Sequence, residues 1–335
     1  MTAPVSQPQP LYRSPWVIGT AVVLVTIALA VTSVFVGAAD LTPSDVLTGQ
    51  LNEAQRSALF ISRIPRTIAI VLSGSAMAVA GLVMQLVVRN RFVEPSTTGT
   101  TAGASAGILI VLLVNPGAPV IIKLIVSTIG ALTVTAVFVV LIARIPARQS
   151  VLIPLVGIMT ATVVEAGVTF VALRHNLLQS IGAWTTGNFA PIIAGRYELL
   201  FLVGLASLAT WVTADRITII GLGKDTATNL GVSYRATLIW GLALVAVTSS
   251  IVVTVVGGLP FLGLVVPNLV SIVIGDRLRF SIPWVAISGA GLVLVADVIG
   301  RIVIPPFELP IGTTLGVICS GIFLGLVMHL DEHRD

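Results

Sequence analysis

Few residues in this chain carry chemistry, and those that do sit in apolar surroundings. Two carboxylates, Glu165 and Asp297, fall inside long apolar runs, where an acid is a functional candidate by default. Asp297 precedes Arg301 by four residues, so the two can pair on one helix face. Glu165 has no partner in sequence. A hydrogen bond to a neighbouring helix, a place on a polar path and a proton relay all remain open for it. His329-Leu330-Asp331-Glu332-His333 fits the H-x-x-E-H form of a zinc peptidase, but no third ligand is in view and the pattern falls where helices fray. Gly223-Lys224 is the nearest approach to a phosphate-binding loop. Asp225 stands where Ser or Thr is needed and Thr218 where the first glycine is needed. The single cysteine, Cys319, can form no internal disulfide and lacks the neighbours of a zinc site. No metal site, cofactor or catalytic group is expected in the chain.

The elements that must position these residues follow from composition. Of 335 residues 56% are hydrophobic and only 10% charged, against roughly 25% charged in soluble domains. Mean hydropathy is +1.06. The expected class is all-α and polytopic in the membrane, since about 20 apolar residues cross the hydrocarbon as helix. Spans are predicted at about 16–37, 62–88, 98–114, 119–142, 152–173, 195–214, 236–256, 262–275, 282–300 and 312–329. Residues 1–15 read as a disordered cytoplasmic tail, 16–330 as one transmembrane domain and 331–335 as a second short tail. Pro260 and Pro267 suggest that the eighth span is broken. Leu177–Pro191 is too short to cross and reads as a re-entrant or interfacial helix. Glycines at four-residue spacing (Gly99, Gly103 and Gly107; Gly312 and Gly316; Gly321 and Gly325) are expected to let helix backbones approach.

The net charge is +4, but the basic residues are scattered without a stripe or aromatic platform, which argues against nucleic acid. With both ends inside, 11 of the 18 Lys and Arg residues fall on the inner side and 7 on the outer, a modest positive-inside bias. The outer set is Arg56, Arg63, Arg66, Lys123, Arg174, Arg196 and Arg301, and topology gives no reason for it.

Several segments resemble one family. Arg63-Ile64-Pro65-Arg66-Thr67 opens the second span, and Ser73-Gly74-Ser75-Ala76 follows within it. Met84-Gln85 closes that span, ahead of Asn90-Arg91-Phe92-Val93-Glu94-Pro95 and Gly99. Further on come Gly223-Lys224-Asp225-Thr226-Ala227, Leu230-Gly231-Val232, Gly257-Gly258-Leu259-Pro260-Phe261 through Pro267-Asn268, Ala296-Asp297, Arg301 and Glu308-Leu309-Pro310-Ile311-Gly312. Over residues 16–330 these look like the FecCD family of permeases, membrane subunits of importers for iron–siderophore complexes, haem and vitamin B12.

The resemblance implies a vitamin B12 importer-like fold of ten helices that pairs with a second permease subunit, a copy or a homologue. It also implies two ATP-binding subunits inside, which hold ATP and Mg, and an extracytoplasmic binding protein outside. The location is the cytoplasmic membrane and the cargo a ferric siderophore. Arg63, Arg66 and Arg301 are then expected to meet acids on the binding protein, for which a guanidinium fork is suited; an internal pair with Asp297 is the plainer alternative. The segment 217–234 resembles the family's coupling loop: Gly221 and Gly223 allow a turn, Asp225 caps a short helix through Ala227 and Leu230, and Gly231 ends it. Thr98, Thr101, Glu165 and Asn268 are the candidates for the translocation path. Two departures stand out. Arg91-Phe92-Val93 replaces the family's common Pro-Leu-Ala, a variant most like permeases for catecholate-type siderophores. Asn268 stands where relatives often carry histidine. Outside the family, an ion-driven carrier using Glu165 and an intramembrane enzyme using the terminal histidines are the alternative readings.

Overall fold

A computed structural model describes residues 15–36, 42–49, 51–145, 152–275, 277–304 and 307–331. The described chain is all helical apart from one isolated parallel bridge between Thr186 and Gly258. Its helices are α1 (Pro15–Phe35), α2 (Pro43–Thr48), α3 (Glu53–Ser57), α4 (Ile64–Val88), α5 (Thr100–Val114), α6 (Val120–Ile142), α7 (Leu152–Arg174), α8 (Leu178–Thr185), α9 (Phe201–Val212), α10 (Ala214–Gly221), α11 (Lys224–Asn229), α12 (Tyr234–Val255), α13 (Leu262–Ile274), α14 (Leu278–Ile302) and α15 (Ile311–Asp331). Each of the ten predicted spans has a matching helix. Six are long and apolar enough to cross a membrane by themselves, and α9–α10, bent by 63° at their junction, count as a seventh only if taken as one span. The other three, α5, α13 and the apolar part of α15, are shorter.

The centre of the bundle is α4. Of its most apolar window 72% is buried, against 11% for α1. Small residues make this possible. A Cβ on Gly81 would lie 2.2 Å from the Gly263 Cα, so α4 and α13 touch backbone to backbone. The helix continues backward through a π-turn at Ala58–Arg63 into α3, giving 36 residues from Glu53 to Val88. At 1.5 Å per residue that is about 54 Å, well beyond a hydrocarbon core of ~30 Å, so one end projects. With the N-terminus inside, the projecting end is the outer one.

The glycine faces divide. Gly103 and Gly107 on α5 press on α6, where a Cβ would come within 2.5 Å of the Gly130 carbonyl and 2.4 Å of the Val126 carbonyl. Gly321 and Gly325 on α15 meet nothing within 4 Å, so that face is open in a single chain and the expectation of close packing there does not hold within it.

The eighth span is a half helix, as its prolines suggested. The 13 residues of α13 cover about 20 Å. Pro267 lies inside it and has no N–H to return to Gly263. The freed Gly263 carbonyl is taken up by the Gln85 side-chain amide at 3.1 Å. Before α13 the chain turns through Gly257 (φ +94°) and Phe261 (φ +61°). Such irregular backbone at membrane depth requires protein or water around it, and the cleft described next supplies that.

Candidate functional site

Three non-helical backbone segments meet at one junction. The Gly258 N–H donates to Thr185 O at 2.8 Å, Asn188 N–H to Val256 O at 2.8 Å, and Gly312 N–H to Gly187 O at 3.0 Å. The approach is close: a Cβ on Gly257 would stand 2.4 Å from the Thr186 carbonyl. The end of α8, the start of α13 and the start of α15 are thereby tied together, and with α5 and α7 they enclose a cleft of about 320 Å³.

The cleft is lined by hydroxyls from Ser96, Thr101, Ser105, Thr185, Thr186 and Thr313, and by one charged side chain, Glu165. Glu165 is exposed. Beneath the cleft lies Glu94, 1% exposed. It accepts from the Ser96 hydroxyl and, at 2.9 Å, from the Phe261 N–H. Burial pushes the Glu94 carboxyl above the usual carboxylate range, and the hydrogen bonds from Ser96 and the Phe261 backbone oppose that. Glu94 therefore locks the α4–α5 connection to the start of α13. Sequence reasoning treated it only as a motif member; the available signal was a lone acid before Pro95 between two apolar runs.

Of the path candidates, the structure brings Thr101 and Glu165 together in the cleft. Thr98 is corrected: it is 1% exposed, and its hydroxyl contacts the Glu94 and Pro95 carbonyls and the Thr100 hydroxyl. A threonine at the start of a helix can satisfy itself on nearby backbone, and here it does, away from the cleft. Asn268 is elsewhere. Its amide donates to Arg91 O at 3.0 Å and to Leu264 O at 2.7 Å, and it lines a separate cavity of about 360 Å³ with Gln85, Arg89, Arg91 and Ser271.

The arginines of the outer side form a second constellation. Arg66 and Arg301 are 7% and 9% exposed, and Asp297 is fully buried between them. Arg66 reaches one Asp297 oxygen from Nε at 3.1 Å and from Nη2 at 2.7 Å, and its Nη1 meets Glu308 at 2.7 Å. Arg301 meets the other oxygen, which also accepts from the Ser33 hydroxyl at 3.2 Å. Arg301 Nη1 donates to the Ser33 and Val36 carbonyls at 2.9 and 2.8 Å, while its buried Nε finds no partner among the described residues. Arg63 similarly donates to the Val34 and Phe35 carbonyls, both at 3.1 Å. The expected Asp297–Arg301 pair is present, but Arg63, Arg66 and Arg301 do not stand as free forks on a rim. They close the end of α1 onto α4 and α14. Among the described residues the exposed outer cations are Arg56, Arg174 and Arg196.

The coupling segment also differs in detail. The N-cap of α11 is Gly223, whose φ of +119° suits only glycine; Asp225 sits within the first turn. Asp225 is thus not the cap, because the helix starts one residue before it. Ala227 is fully buried, whereas Leu230 is 59% exposed. Gly231 (φ +74°) closes the helix as expected, with Val232 N–H donating to Ala227 O at 2.9 Å. Among the described residues no cluster of three or more His, Cys, Asp or Glu could hold a metal. Glu332 and His333 of the terminal H-x-x-E-H pattern lie outside the described residues.

Residues 24–329 match the FecCD transport family. The chain belongs to that family. It is 42% identical over 305 residues, 91% of this chain and 96% of the relative, to the petrobactin import system permease protein YclN of Bacillus subtilis. It is 37% identical over 306 residues, 91% and 97% of the two chains, to the ferric-anguibactin transport system permease protein FatD of Vibrio anguillarum. Among solved structures, a metal-chelate type ABC transporter in an inward-facing conformation superposes with a TM-score of 0.80 at 22% identity, over 93% of this chain and 99% of that one. This FecCD member is a multi-pass permease subunit of an ABC importer and is not itself catalytic.

Proposed function

We propose that this permease carries a ferric siderophore and works with a second permease subunit, two ATP-binding subunits and an extracytoplasmic binding protein. The observation that carries the reading is the hydroxyl-lined cleft with its exposed Glu165. An acid midway along a spanning helix is strongly disfavoured against lipid, by about 2.5–3.5 kcal/mol on insertion scales. That face of α7 therefore belongs against a second subunit with a wet path between the two. A path shared by two chains is wide enough for a chelate, and the import of petrobactin and ferric anguibactin by the relatives supports that cargo class. ATP is handled elsewhere, since the sequence has no phosphate-binding loop.

The reconstituted importer tests this directly. Uptake of labelled iron with a panel of ferric chelates should depend on the ATP-binding subunits, stop with vanadate and continue with a protonophore. Uptake that follows the proton gradient and ignores vanadate would refute the reading.

Two contacts with partners belong to the same proposal. The exposed side of α11, with Leu230, enters a cleft of the ATP-binding subunit, while Gly223, Asp225, Ala227 and Gly231 set the shape of that helix. Leu230→Asp should then uncouple ATP hydrolysis from transport, and normal coupling would remove α11 from the interface. The binding protein docks over the outer ends of α3, α7 and the 190–198 loop. There Arg56, Arg174 and Arg196 make first contact with its acids, and Arg63, Arg66 and Arg301 hold the surface in shape. Charge reversal at Arg56 and Arg196 should slow docking about tenfold at low salt and flatten its salt dependence; unaltered docking would refute the assignment.

A further inference from the structure

The cleft offers more than a wet surface: the chemistry of its groups is one-sided. Among the described residues its one charged side chain is Glu165, and no Lys, Arg or His lines it. Three of the six hydroxyls spend their protons inside the protein. Ser105 donates to Thr101 O at 3.0 Å, Thr185 donates to Ile181 O at 3.0 Å, and Ser96 donates to Glu94. What these three side chains present to the cleft is therefore lone pairs. Glu165 itself has no hydrogen-bond or ion-pair partner among the described residues, so its acceptor capacity is unspent. Behind the hydroxyls the buried Glu94 adds a second acid and no cation. A lone carboxylate beside hydroxyl lone pairs, with no cation lining the cleft among the described residues, fits N–H and ammonium groups and disfavours carboxylate, phosphate or sulfonate.

We infer that Glu165 is a specificity-determining residue, and that the cleft favours ferric chelates whose periphery carries ammonium or amide N–H donors over chelates of equal size that carry carboxylates. This rests on the ferric-chelate reading above and adds to it the charge class of the cargo. Contact is meant to be brief. A single exposed carboxylate among neutral acceptors holds a cationic group loosely, whereas a paired basic site would trap an anionic chelate on the way through.

The experiment uses the complete importer in proteoliposomes, with ATP inside the subunits' compartment and three ferric chelates on one scaffold: one with free amines, one with those amines acetylated, one with them succinylated. The measured quantity is the ratio of uptake rates. Wild type should prefer the amine chelate to the succinylated one. Glu165→Gln should reduce that preference about tenfold, the size of one charge-assisted hydrogen bond, Glu165→Asp should retain most of it, and Glu165→Lys should reverse it. Membrane abundance and ATP hydrolysis of each variant show that the importer has assembled. A preference that is the same in wild type and all three variants, or an equal fall for every chelate, overturns the inference. If wild type moves none of the chelates, the cargo reading fails first, and the wild-type trace tells the two failures apart.

Discussion

At the outer ends of α1, α4 and α14, Asp297 is wholly buried and divides its two oxygens among Arg66, Arg301 and Ser33. On α7, Glu165 faces an open cleft among hydroxyls, and no cation lines that cleft among the described residues. Both are acids inside apolar runs. The difference lies in what each neighbour can give back. A buried carboxylate persists only when cations and donors replace its water, and three helices converge to supply them to Asp297. An exposed carboxylate keeps its water and stays available to something that passes. One acid is locked into the architecture, and the other is left open to the cleft.

Substitution should separate the two by magnitude. Asp297→Ala leaves two buried guanidiniums with only Glu308 between them, a loss on the order of 3–5 kcal/mol. The expected outcome is failure to accumulate in the membrane, or a sharply lowered melting midpoint in detergent; a wild-type midpoint would break the comparison. Glu308→Gln is the intermediate case. Its side chain is 35% exposed and meets one arginine, so solvent screening limits the effect to about 1 kcal/mol or less. A drop as large as that of Asp297→Ala would mean that Glu308, not Asp297, is the keystone. Glu165→Gln should leave the melting midpoint where it is, because it removes no internal contact, and should alter only the uptake ratio. A lowered midpoint would move Glu165 into the architectural class.

The spans were legible because hydrocarbon demands long apolar stretches whatever else a sequence does, and even the half helix α13 announced itself through Pro260 and Pro267. The Asp297–Arg301 pair was legible from its four-residue spacing. The Arg66–Asp297 pair was not: 231 residues separate the partners, and nothing local marks them. For the same reason the outer arginines looked free. Thr98 and Thr101 read alike in sequence, since both hydroxyls lie in one threonine-rich run. Only the turn at Gly99 (φ +82°) sends one inward and the other toward the cleft. Ala227 and Leu230 read as one exposed helix, and the packing of α11 decided between them.

The ionic knot also has a meaning for how the chain is made. Arg66 leaves the ribosome well before Asp297 and Glu308, which follow it by 231 and 242 residues. Until they emerge Arg66 lacks the two acids it meets in the folded chain, whereas Arg63 already has the α1 carbonyls of Val34 and Phe35 within its reach. The ionic part of the joint among α1, α4 and α14 can close only once α14, which carries Asp297 and Arg301, is in place. A chain cut before residue 297 would carry unanswered charge into the bilayer and be open to quality-control proteases.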